Sequence, residues 1–164
     1  MQIEYSQNDL VTPEEYLDLI ISLELGFENH RSIENNAIAL KNSLFIATAR
    51  YERKLVGIIR LVGDRAYSIH VAEMAVSKVF QRKGIGSKLL QMAVSFAREI
   101  KVGCGKSFGE FTLFCNTNSL EFYQKNQFSL CANGMVLTDD DVRKKFEADF
   151  SEEWLIRHFS NRNR

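Results

Sequence analysis

Apolar and polar residues along this chain alternate with period two in some stretches and recur at helical spacing in others, and the switches outline its elements. Ile3 to Ser6 suits a short strand. Thr12-Pro13-Glu14-Glu15 opens a helix: Thr12 caps, Pro13 fits the first helical position, and Glu15 completes a capping box. Tyr16, Leu17, Leu19, Ile20 and Leu23 form its apolar face, and Gly26 is its stop. Ser32 caps a second helix, with Ile33, Ala37, Ile38 and Leu40 inward and Asn42-Ser43 closing it. Leu44 to Tyr51 and Leu55 to Val62 are β-rich runs joined by the polar turn Glu52-Arg53-Lys54, which predicts a hairpin. Gly63-Asp64 turns the chain into a further strand, Ile69 to Val76.

A polar loop holding Gly84 and Gly86 follows, and then a helix in which Leu89, Leu90, Ala93, Val94 and Ala97 recur on one side, ending near Ile100. Beyond the glycine-spaced segment KVGCGKSFGE, Phe111 to Cys115 reads as a strand. Asn116-Thr117-Asn118-Ser119 caps a helix running to Asn126. Phe128 to Ala132 and Met135 to Leu137 flank Asn133-Gly134, the favoured dipeptide of a two-residue hairpin. From Thr138 the chain is charged and helical in period. The order is strand, two helices, several strands, helix, strand, helix, strands, which predicts a mixed α/β domain around one sheet.

Composition narrows this to one domain. The 164 residues are 45% hydrophobic, enough for one well-buried core and too little for two. We therefore expect a single domain over residues 1–164, with 138–164 as a helical extension. Trp154, Leu155 and Phe159 give that extension an apolar side, which either packs on the domain or pairs subunits in a homodimer. Lys plus Arg (21) balance Asp plus Glu (21), so the basic footprint of a nucleic-acid binder is missing. No apolar run approaches the ~20 residues of a membrane helix, and MQIEYSQNDL lacks the layout of a secretory signal. Cys104, Cys115 and Cys131 form no CxxC pair. Cys115 and Cys131 sit among apolar neighbours and read as reduced residues of a cytoplasmic protein, with no metal site expected.

The candidate chemistry lies between Ile69 and Leu90. A strand feeding a glycine-rich turn into a helix N-terminus builds an anion site, because orphan backbone N–H groups and the helix dipole point out of the helix end. Glycines there let phosphate oxygens reach the amides. A rival segment, Gly103-Cys104-Gly105-Lys106-Ser107, ends like a P-loop, but Ile100 stands where that motif needs glycine. It also follows a helix and precedes a strand, and Gly109 falls one residue too late for a dinucleotide fingerprint. The segment Gln81-Arg82-Lys83-Gly84-Ile85-Gly86 has the right order and matches a different pattern, Gln/Arg-x-x-Gly-x-Gly/Ala.

With AVSKVFQRKGIGSKLL, Asn116 at a strand-to-helix step, and Phe122-Tyr123 ahead of Phe128, the chain up to about Leu137 resembles the GNAT superfamily of acyl-CoA-dependent N-acetyltransferases. The resemblance implies a GNAT fold, a mostly antiparallel mixed sheet flanked by helices, and acetyl-CoA as co-substrate. It implies that backbone groups of Met74, Ala75 and Val76 meet the pantetheine arm, and that amides of Arg82, Lys83, Gly84, Ile85, Gly86 and Ser87 hold the pyrophosphate. It gives Asn116 a contact with the cofactor arm, although Asn116, like Asn118 or Ser119, is also a ready helix cap. Tyr123 matches the tyrosine that protonates the departing thiolate, and a phenol with a pKa of about 10 suits that task. The family has glycine just before the phenylalanine where this chain has Gln127 after Asn126, and asparagine can adopt the left-handed turn.

For the base, Glu73 lies on the key strand at a position often acidic in small-amine acetyltransferases of this family. His70 is the alternative, and alternation puts the two on opposite faces unless a bulge intervenes. His30 and His158 have no motif context. The expectation is therefore direct acetyl transfer to a primary amine of a small molecule. The rivals are a protein or peptide N-acetyltransferase and a non-catalytic acyl-CoA sensor, which would need neither Tyr123 nor Glu73. In this fold the acceptor groove is lined by the first two helices and the last hairpin, where Phe27, His30 and Met135 fall.

Overall fold

The computed structural model describes residues 1–7, 9–24, 31–100 and 110–130. It divides into two compact units, Met1–Phe114 and Cys115–Arg164. The first unit holds a five-stranded sheet in simple sequence order, β1 (Glu4–Ser6), β2 (Phe45–Tyr51), β3 (Lys54–Gly63), β4 (Ser68–Val76) and β5 (Glu110–Leu113). The pairs β1/β2, β2/β3 and β3/β4 are antiparallel, and β4/β5 is parallel. This is the mixed α/β arrangement around one sheet that the element order predicts, and the mostly antiparallel sheet that the resemblance implies.

Helix α1 (Pro13–Ile21) starts on the capping box read from its sequence. Glu15 N–H donates to Thr12 Oγ1 at 3.2 Å, and Thr12 N–H donates to Glu15 Oε1 at 2.9 Å. Tyr16, Leu19, Ile20 and Leu23 pack with Leu55, Ile58 and Ala75 to form the core on one face of the sheet. Helix α2 (Ile33–Lys41) is capped by Ser32 as expected, but its inward side differs from the predicted one. Ile33 and Ile38 are exposed, while Asn36 is buried and donates from Nδ2 to the Pro13 carbonyl at 3.4 Å. Helix spacing alone offers several arcs, and α1 selects the one that brings Asn36 and Leu40 against it.

Helix α3 (Ile85–Glu99) covers the opposite face and buries Ile85, Leu89, Leu90, Ala93 and Ala97. It lies close because β3 carries Gly57 beneath it. A Cβ there would come within 3.1 Å of Leu89 Cδ1 and 3.3 Å of Ile85 Cγ2. Phe96 stacks on Phe45 at 4.5 Å between ring centroids.

In the second unit, α4 (Thr117–Lys125) is capped by Asn116, as read from the sequence. The strand expected from Phe128 does not begin among the described residues, since Phe128–Leu130 form no element. The Asn133-Gly134 hairpin, the helical extension over 138–164 and the 101–109 loop lie outside the described residues, as do Gly26, Phe27, His30, Met135, His158, Cys104 and Cys131. Among the described residues no helix is long and apolar enough to cross a membrane.

Candidate active site

The parallel ladder between β4 and β5 ends at Val71↔Leu113, yet β4 runs on to Val76 against β3 alone. Met74, Ala75 and Val76 thus lie on a strand segment whose second edge is no longer taken up by β5. Ala75 is buried in the α1 core, and Met74 and Val76 are half-buried.

The chain then leaves the strand through a short 3-10 turn, Lys78–Phe80, that the sequence pattern does not reveal. Ser77 N–H donates to the Val56 carbonyl at 2.9 Å, and the Gln81 side-chain amide donates to the Val76 carbonyl at 2.9 Å, tying both ends of the turn to the sheet. Arg82 and Gly84 both adopt left-handed backbone, with φ of 58° and 80°. Gly84 is the N-cap of α3 and brings no side-chain cap. A Cβ built on it meets no atom within 4 Å, so the space beside Gly84 is open. The first turn of α3 contains no acidic residue. Its leading amides have no intrahelical acceptor by construction, and the helix dipole adds to them. The residues expected to hold a pyrophosphate, Arg82, Lys83, Gly84, Ile85, Gly86 and Ser87, span this turn and the first turn of α3. The exposed Arg82 can add charge, whereas Lys83 folds back, donating from Nζ to the Val79 carbonyl at 2.8 Å over the Phe80 ring.

Further back on β4, Arg60 pairs with Glu73 while Leu61 pairs with Val71, so Ala72 faces no residue of β3. This bulge changes the side-chain phase. Glu73 stands opposite Arg60 and His70 opposite Val62, and residues 60 and 62 share a face by strand alternation. Glu73 and His70 therefore share the α1 face, and alternation does not choose between them.

Their surroundings do differ. Glu73 Oε2 accepts a hydrogen bond from the Tyr16 hydroxyl at 2.9 Å and a charge-assisted one from Arg31 Nη2. Arg31 Nη1 also donates to Tyr16 Oη at 3.3 Å, and Arg60 Nε donates to the same oxygen at 3.4 Å. Burial, then the Glu73 charge, pushes the Tyr16 hydroxyl above the usual phenol value. His70 Nδ1 is hydrogen-bonded to Thr112 Oγ1 at 3.0 Å, and its ring lies 5.2 Å from that of Phe114. Burial lowers the His70 pKa.

Tyr16, Arg31 and Arg60 carry no functional reading in the sequence. Tyr16 reads as one more apolar position of a helix. Arg60, a lone cation inside the apolar run LVGIIRLVG, is the one legible signal of the three.

In the second unit, Asn116 Oδ1 accepts from Ser119 N–H at 3.0 Å and from Ser119 Oγ at 2.8 Å. Asn116 is therefore the cap, with its Oδ1 engaged in that role. Tyr123 sits edge-on to Phe122 and Phe128, with centroid distances of 5.0 and 5.9 Å. Gln127, and not Asn126, takes the left-handed conformation, at φ 70°. Asn126 instead donates from Nδ2 to the Phe122 carbonyl at 2.8 Å.

Residues 12–128 match the sequence model described as the acetyltransferase (GNAT) family. The histone acetyltransferase TAP1 of Glycine max is 26% identical over 116 residues, covering 64% of this chain and 48% of the relative. The chain thus spans about half the length of the curated relatives it matches. Among solved structures, a GNAT-family acetyltransferase from Streptococcus pneumoniae superposes with a TM-score of 0.67 at 26% identity, over 85% of this chain and 99% of that one. A protein from meticillin-resistant Staphylococcus aureus shares the fold with a TM-score of 0.72 at 21% identity, over 84% of this chain and 99% of that one.

Proposed function

The chain belongs to the GNAT family of acetyltransferases, and on that premise we propose that it transfers an acetyl group from acetyl-CoA to the primary amine of a small molecule by direct attack. The observation that carries the reading is the α3 N-terminus, where the space beside Gly84 is open at the end of a strand released from β5. Backbone groups of Met74, Ala75 and Val76 hold the pantetheine arm, amides from Arg82 to Ser87 hold the pyrophosphate, and Asn116 contributes its Nδ2. When bound, acetyl-CoA supplies the acetyl group as an activated thioester.

The remaining work falls to the protein. An alkylammonium, with a pKa of about 10.4, must lose a proton before its nitrogen can attack. Glu73 takes that proton, directly or through water, at Oε1, because Oε2 is occupied by Tyr16 and Arg31. A strand amide near Met74 to Val76 donates to the thioester carbonyl oxygen as charge builds there. The C–N bond forms, the nitrogen sheds its second proton to solvent, the C–S bond breaks, and Tyr123 gives its hydroxyl proton to the leaving sulfur before regaining one from solvent. This route places no demand on the cysteines.

A second acceptor class, a protein lysine, is favoured by the likeness to a protein described as a histone acetyltransferase. Release of free thiol from acetyl-CoA separates the two, measured with a panel of small amines beside a lysine-containing peptide. Turnover of small amines is expected, with Tyr123→Phe lowering kcat by about 10²-fold or more while KM for acetyl-CoA changes little. Turnover of the peptide alone would overturn the small-molecule reading.

A further inference from the structure

The cluster around Glu73 holds two guanidiniums and one carboxylate. Arg60 is only 9% exposed and, among the described residues, donates only to neutral groups. These are Tyr16 Oη, the Ala39 carbonyl at 3.3 Å and Ser43 Oγ at 3.2 Å. Arg31, its side chain 26% exposed, forms the outer rim through its ion pair with Glu73, 15% exposed. The phenol between them cannot supply the missing negative charge, because its surroundings keep it protonated well above neutral pH. Among the described residues Arg60 has no carboxylate bonded to it, and a sequestered cation without a counter-charge is costly, so an anion joining the cluster would complete it.

The unused hydrogen-bonding groups show where. Glu73 directs both of its hydrogen bonds through Oε2, so Oε1 has no partner among the described residues. Arg31 donates from Nη1 and Nη2, which leaves Nε without an acceptor among the described residues. Resting on the small-amine reading above, we propose that the acceptor is a short amine that also carries an anionic group, carboxylate or phosphate. Its ammonium meets Glu73 Oε1 and its anion meets the Arg31 guanidinium. A polyamine brings further positive charge against a cluster already in excess of it. A plain monoamine satisfies Glu73 and leaves the guanidiniums uncompensated. Arg31 is thus the specificity-determining residue and Arg60 the buried charge that reinforces it.

The test is kcat/KM for matched pairs of acceptors at fixed acetyl-CoA. One arm sets ω-amino acids against their amides, and the other sets O-phosphoethanolamine against ethanolamine, so the two arms report which anion is preferred. The wild type should favour the charged member of at least one pair by on the order of ten-fold, mainly through KM, the scale of one charge-assisted contact. Arg31→Gln should bring that ratio close to one, and Arg31→Lys should restore part of it. The ratio is the informative quantity, because loss of Arg31 also frees Glu73 and shifts both members of a pair together. Parity within every pair in the wild type would overturn the proposal and leave the small-amine reading standing, as would an Arg31→Gln enzyme that keeps its preference. Turnover of a lysine peptide with none of the small amines would overturn both.

Discussion

At the residue scale, two backbone positions separate what the ligand requires from what the fold requires. Gly84 sits at φ 80° with open space where a Cβ would stand, so no protein neighbour demands glycine there. The conformation and the approach of an outside group do. Gly84→Ala should cost about 1 kcal/mol of stability from the left-handed backbone and raise KM for acetyl-CoA several-fold more than it changes kcat, read by steady-state kinetics beside urea unfolding. Gln127 is the contrasting case. It occupies φ 70°, a backbone region that favours glycine, and it faces solvent at the end of α4. Gln127→Gly should raise stability by up to about 1 kcal/mol, since relief of left-handed strain exceeds the entropy that glycine adds to the unfolded chain. A fall in the melting temperature would show that the Gln127 side chain contributes contacts worth more than the strain.

At the element scale, α1 and β4 together bring Tyr16 to Glu73. The capping box fixes where α1 begins, which sets the helical phase that aims Tyr16 at Glu73 rather than at solvent. Glu15 serves twice: Arg50 donates to it at 2.7 and 2.8 Å, and this pairing, ahead of the Thr12 amide, holds its carboxyl below the usual carboxylate range. Thr12→Ala should therefore cost about 1 kcal/mol by chemical denaturation, and Glu15→Ala somewhat more, because among the described residues Arg50 would keep only Asp9 as an ionic partner. On β4 the deciding feature is the bulge at Ala72. Without that extra residue, His70 would turn to the face opposite Glu73 and Arg60, which stay in register with Ala75 and Ile58 of the α1 core.

At the scale of the whole molecule, the shifted groups predict a loss of stability in acid in two windows. Burial depresses the His70 pKa below its ordinary 6.5, so as pH falls through that value the unfolded chain binds a proton the folded chain resists. Stability contributed by a neutral His70 is complete above about 6.5 and declines below it. Asp64 accepts from the amides of Ser68, Ala66 and Tyr67, which hold its carboxyl at about 2 against 3.8. Together with the lowered Glu15, it adds stability that is complete above about 4 and lost as pH approaches 2. Urea midpoints measured from pH 8 to pH 3 should fall in both windows, and His70→Gln should flatten only the upper one.

The sequence by itself determined the order of elements, the capped starts of α1, α2 and α4, and the strand-loop-helix of β4 and α3. Each of these is local: a cap, a turn glycine or an apolar period acts within a few residues of its own position. Tertiary structure alone decided which arc of α2 faces inward, since the choice depends on the surface α1 presents to it, and not on Ile33 or Ile38 themselves. It decided the faces of Glu73 and His70, because one unpaired residue at Ala72 reverses an alternation that the residue types cannot reveal. It also brought Tyr16, Arg31 and Arg60 to Glu73 from separate elements, and so turned a lone strand carboxylate into a charged cluster. Long-range pairing sets register and burial sets electrostatics, which is why the glycine turn and the start of α3 were legible in the chain and the cluster around Glu73 was not.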